Sequence, residues 1–274
     1  MIDPFDYKEP SCALCGGKDF YYPKKDAPKG KIPVSRIIEK VDEAFNKNDM
    51  QEAKRLLEYW QKEAQSLLDK KGELSIVNEL LGLYRKLDDS KNAEKATERA
   101  VLLVKELGLE EDFSVGNIYL NVATTLKAIK KARESIFYYD EAYKIFKKFP
   151  ERSKDLMSGY YNNRAVALVD LGEVEKAKEC YYKALEYLKG TPFEFTDGAI
   201  TMVNLAHLYF SMDLEDKARE CVEKIIPLLE NEKAIKNGYY AYVLTKCTPA
   251  LRHFGFIEKA EEYEKLAEKI YEGN

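Results

Sequence analysis

The chain has 274 residues, 45% of them hydrophobic, and its 44 Lys and Arg against 48 Asp and Glu give a formal net charge of −4. That balance argues against phosphate-backbone binding as the main activity, because a nucleic-acid partner requires a clustered basic footprint. No apolar run approaches the roughly 18–20 residues of a membrane span, and Met1-Ile2-Asp3-Pro4 opens without the basic and apolar stretches of a signal peptide.

Five cysteines, an odd number scattered along the chain, do not form a disulfide framework. The chain therefore reads as cytoplasmic and reduced, with no membrane partner. Residues 1–33 differ from the rest of the chain, holding Pro4, Pro10, Pro23, Pro28 and Pro33. Proline fixes φ and removes a donor, so this segment is expected to be a non-helical arm. It contains Cys12-Ala13-Leu14-Cys15-Gly16, a spacing similar to one knuckle of a zinc ribbon. A closed zinc site needs four ligands, and no second such pair exists. Cys180, Cys221 and Cys247 read as small core residues, and His207 and His253 fall in different, distant repeats. Zinc at Cys12 and Cys15, completed within one chain or shared between two chains of a homodimer, stands beside a redox pair and a plain structural turn as the alternatives.

From residue 34 to 274 the apolar spacing predicts one helical domain of paired helices. The first pair runs from Ser35, a candidate cap, to about Asn46 and from Met50 to Lys71, stopping at Gly72. Further pairs are expected over about 73–87 and 91–107, 113–129 and 131–148, 153–171 and 174–189, 196–212 and 215–231, and 234–254 and 257–271. Pro227 should kink or shorten the second helix of the fifth pair. The last helix keeps a narrow stripe of Ala260, Tyr263, Ala267 and Ile270 against a charged outer face, as expected of a capping helix.

The pairs are copies of one unit. Small residues recur at Ala53, Ala93, Ser135, Ala177, Ala218 and Ala260, so the steps between these anchors are 40, 42, 42, 41 and 42. Columns four and seven residues after each anchor, and nine and twelve before, stay in step through six copies. Examples are Tyr139 and Tyr181, Ala142 and Ala184, Leu126 and Leu168, and Ala123 and Ala165. A fixed period of this size marks stacked supersecondary units.

Small residues where helices cross, with an aromatic between them, resemble tetratricopeptide repeats, in the long-helix variety of kinesin light chains and bacterial peptide-sensing regulators. Asn162-Asn163-Arg164-Ala165 and Asn204-Leu205-Ala206-His207-Leu208-Tyr209 are close to the light-chain wording of the first helix, helix A. The resemblance implies an all-α, right-handed superhelical solenoid of about six helix–turn–helix units, over roughly residues 34–271.

Fourteen residues before each anchor, about 160° from the packing face of helix A, stand Glu39, Glu79, Asn121, Asn163, Asn204 and Lys246, with Asn117 one turn before Asn121. An Asn amide offers an acceptor and two donors, which suits a peptide main chain. The resemblance implies that this register lines a concave groove in which Asn121, Asn163 and Asn204 contact a peptide. His207 lies on the same side, and Arg85, Lys127 or Lys246 could receive a carboxylate. The alternative is a ladder in which each Asn bonds a neighbouring helix. No phosphate-binding glycine loop, nucleophile elbow or His-rich metal pattern is present. The chain thus reads as a non-enzymatic protein- or peptide-binding adaptor. The alternatives are a cytosolic sensor of a small signalling peptide and a structural dimer joined through the cysteine arm.

Overall fold

The structure, a computed structural model, describes residues 27–47 and 49–273. Cys12 and Cys15, with most of the expected arm, lie outside the described residues; residues 27–33 carry no helix. The described residues are all α, without a strand. Among them no helix is long and apolar enough to cross a membrane. The chain divides into two compact units, one reaching Phe149 and one starting at Pro150.

The first unit holds α1 (Val34–Asn46), α2 (Met50–Ser66), α3 (Lys70–Lys86), α4 (Ser90–Glu106), α5 (Phe113–Ala128) and α6 (Ala132–Lys148). Each helix packs on the next, and α3 also touches α1 and α5. Three hairpins are therefore stacked with their first helices adjacent. The second unit holds α7 (Pro150–Asp170), α8 (Val174–Leu188), α9 (Glu194–Phe210), α10 (Glu215–Glu223), α11 (Ile225–Leu229), α12 (Gly238–His253) and α13 (Ile257–Glu272). There α9 packs on α7, α8, α10, α11 and α12, and α13 packs on α12.

The recurring columns form the cores. All six anchors are fully buried, and among the five columns only Trp60 and Glu264 are half-buried rather than buried. An alanine or serine at the anchor lets two helices approach closely, while Tyr139 and Tyr181 fill the space a turn further on.

The turns between paired helices share one register, five residues before the anchor. Asp88, Lys130, Gly172, Asp213 and Gly255 all take positive φ there, from 52° to 88°. Glycine occupies this left-handed conformation without strain, and the other three hold it against a steric cost. Caps start several helices: Asp49, Asp69, Asp89 and Asp112 each accept a backbone N–H of the first turn.

Several boundaries differ from the sequence expectation, among them the start of α12 at Gly238 instead of about residue 234. Helix α1 begins at Val34 behind Pro33, without a side-chain cap from Ser35. Helix α2 ends at Ser66, and Leu68 turns the chain with φ 58°. Gly72 therefore lies inside α3 instead of stopping α2. A Cβ on Gly72 would sit 2.3 Å from Asp69 Oδ2 and 2.7 Å from Ile32, so its role is close approach. The Asp69 carboxylate caps α3 through the Gly72 N–H and also accepts the Ile32 N–H at 2.9 Å, tying the residues before α1 to the α2–α3 turn. Helix α7 starts at Pro150 itself, where the missing N–H costs nothing. As expected, the helix carrying Pro227 is broken: α10 ends at Glu223 and α11 resumes at Ile225, because Pro227 cannot donate to the carbonyl of Glu223.

Candidate functional site: the asparagine faces

In the first unit the register of interest lies on α3 and α5. Asn121 is half-buried, and its Nδ2 donates to Oδ1 of Asn78, on α3, at 2.9 Å. Asn78 stands one residue before the expected register, which Glu79 occupies, so periodicity alone does not single it out. Its side chain also hydrogen-bonds Glu79, whose carboxyl burial and the nearby Asp42 hold above the usual carboxylate range. Asn117, one turn earlier on α5, is half-buried on the same side.

Arg85, near the end of α3, is partly sunk into the same unit. Its Nη1 is buried and has no hydrogen-bond partner among the described residues. Burial pulls its pKa down, and the group that offsets this is the Tyr139 hydroxyl rather than a carboxylate. That hydroxyl is itself buried, 3.2 Å from Thr124 Oγ1, with its pKa pushed up to about 12 by burial. A guanidinium out of water with no anion opposite is costly unless something pairs with it. Lys127 lies half-buried on α5, eight residues before its anchor, the register of Arg85.

In the second unit α7, α9 and α12 present the corresponding residues. Asn204 Nδ2 donates to Asn162 Oδ1 at 3.0 Å, and Thr201 Oγ1 reaches the same oxygen at 3.3 Å. Asn162 in turn points its Nδ2 at Asn163 Oδ1 over 3.5 Å, the limit of a hydrogen bond. Each unit therefore carries an asparagine pair between adjacent first helices, 43 and 42 residues apart. The pairing consumes one N–H of Asn121 and one of Asn204, leaving each amide with an acceptor and a second donor.

On α12, Lys246 is exposed, with its Nζ 5.4 Å from the Tyr242 ring centre. Tyr242 stacks on Tyr239 at 6.0 Å, and the Tyr239 hydroxyl donates to Asp197 Oδ1 on α9 at 2.7 Å. Burial raises the Asp197 carboxyl, and the hydrogen bonds from Tyr239 and Thr196 partly oppose that.

His207, three residues after Asn204 on α9, is exposed. The two histidines, placed in distant repeats by their numbering, line one cavity between α9 and α12. Their joint position comes from packing and has no local signal. Among the described residues no group of three or more His, Cys, Asp or Glu is placed to hold a metal ion. Cys180, Cys221 and Cys247 are buried free thiols, as expected of small core residues.

The sequence pattern of the tetratricopeptide repeat family matches residues 158–187 and 199–227, so the α7–α8 and α9–α11 hairpins carry such repeats. BtubC (BKLC) from P. vanneervenii is similar at 21% identity over 89% of this chain and 92% of that chain, with a TM-score of 0.49. A point variant of the Podosopora anserina "kinesin light chain nearly identical TPR-like repeats" is similar at 16% identity over 71% of this chain and 92% of that chain, with a TM-score of 0.50. At 16% identity this second likeness is one of fold alone, an all-α array of helical hairpins. No curated protein matches the chain.

Proposed function

From a chain that carries tetratricopeptide repeats, a protein-interaction scaffold, we propose a non-enzymatic cytoplasmic adaptor that holds an extended peptide on the faces of its first helices. The observation that carries this reading is the state of Asn121 and Asn204. Each amide is fixed by one hydrogen bond to the preceding first helix and keeps a donor and an acceptor for another partner. Pre-orientation lowers the entropy lost on binding a main chain, because the rotamer is already chosen. Arg85 supplies the charge preference: its half-buried guanidinium, with no carboxylate opposite it among the described residues, favours a peptide carboxylate, from an acidic side chain or a C-terminus.

The test is binding to an immobilised library of extended peptides. Wild-type protein should select acidic sequences, and N-methylation of the selected peptides at alternate amides should weaken binding at least tenfold. Replacing Asn121, Asn163 and Asn204 together with Ala should abolish selection while the helical melt keeps its cooperativity. Selection that survives both changes would overturn main-chain recognition by these faces.

A further inference from the structure

We infer that the cavity between α9 and α12 is a subsite for one aromatic side chain of the bound peptide. The cavity measures about 320 Å³ and is lined by His207, Phe210, Pro249, Ala250, His253 and Phe254. Three of these rings meet edge to face. Phe210 and His253 lie 4.8 Å apart at 84°, His253 and Phe254 4.9 Å at 79°, and Phe210 and Phe254 6.0 Å at 87°. Phe254 is buried and forms the floor, whereas Phe210 remains 45% exposed at the mouth. Pro249 shapes the opposite wall. It has no N–H for the carbonyl of Thr245, and Thr248 Oγ1 satisfies that carbonyl instead at 3.1 Å.

Size and lining select the guest. The volume lies at the lower end of small-ligand pockets, which suits one ring-sized group and not a cofactor. Among the described residues no carboxylate or ammonium lines the cavity, and four of its six lining side chains are aromatic rings. Ring edges and faces prefer a further ring over an aliphatic group of similar area, by up to about tenfold in affinity. Eight residues before the six anchors stand Phe45, Arg85, Lys127, Val169, Phe210 and Arg252, so α9, like α1, carries a ring where α3 and α5 carry cations.

The source of the ring rests on the peptide reading above. Asn204 and His207 are neighbours at i and i+3 on α9. A main chain bonded to the open Asn204 amide therefore brings a side chain to the cavity mouth.

The only two histidines of the chain both line this cavity, so their imidazole NMR signals report it without labelling other sites. Titration with N-acetyl-tryptophanamide should move both signals along one saturable curve, with N-acetyl-leucinamide binding at least fivefold more weakly. Phe210→Ala should abolish the response, and Phe210→Leu should erase the preference for the aromatic amide while keeping the fold. Unmoved imidazole signals, or equal binding of the two amides to wild type, would overturn the inference. 3-Methylindole, which has the ring and no amide, should move the same two signals, so ring capture is read apart from the main-chain contacts. Failure of the peptide reading alone would appear as loss of library selection with this titration intact.

Discussion

The side-chain amide of Asn204 donates to that of Asn162 across 3.0 Å, 42 residues earlier, and Asn121 repeats the contact with Asn78 in the other unit at 2.9 Å. Both bonds join neighbouring first helices on the face proposed above to hold a peptide. They make the asparagines part of the scaffold as well as candidates for contact. A double-mutant cycle on Asn162→Ala and Asn204→Ala, read by urea unfolding, should give a coupling of about 0.5–1.5 kcal/mol, the net worth of a typical hydrogen bond. A coupling of zero would mean that the pair has no share in stability.

Arg85 should show the opposite sign. Its guanidinium loses hydration and gains no anion from the described residues, so Arg85→Met should raise stability by about 1 kcal/mol. The same change should weaken binding of acidic peptides at least tenfold. Thermal melts and peptide titrations on one preparation test both halves, and a destabilised variant would show that the charge is already satisfied.

The shared turn register predicts that backbone substitutions act alike in different hairpins. Lys130 holds φ 67° with a full side chain, so Lys130→Gly should stabilise by up to about 1 kcal/mol. Gly172 holds φ 75°, and a Cβ there would meet nothing within 4 Å, so Gly172→Ala should cost about 1 kcal/mol through the backbone alone. Calorimetric melts of the two variants check the pair.

Asp89 links stability to acid. Its carboxylate caps α4, bonds Asn92 and accepts from Lys54 Nζ at 2.9 Å, bonds that hold its pKa down to about 2. A lowered folded value means the contribution is fully present above the unfolded carboxylate range near about 4. It is then lost as the pH falls through the folded value. The stability difference between wild type and Asp89→Ala should therefore be constant from about pH 7 to about pH 5 and shrink steadily toward about pH 2. A difference that grew on acidification would refute the assignment.

Much of the fold is legible in the residues themselves. A period near 42 with alanine or serine at every anchor sets where helices cross, and the buried columns bear that out from Ala53 to Ala260. Pro227 breaks its helix because the lost N–H is a local matter. Gly72 reads as a stop in sequence, yet its meaning depends on Asp69 and Ile32 folding against it. The left-handed turns at Asp88, Lys130 and Asp213 carry no glycine to announce them. They arise from the hairpin geometry that the packing of paired helices imposes.

Local pattern alone determined which face of each helix is apolar, where the hairpins fall and which asparagines share a register, because these depend on periodicity along one helix. Only the tertiary structure decided that Asn204 pairs with Asn162 and Asn121 with Asn78, that Arg85 sinks toward Tyr139, and that His207 and His253 share a cavity with Phe210. Those meetings depend on the rotation and offset of one helix against the next. A shift of one residue on either partner would exchange every contact while leaving the sequence period unchanged.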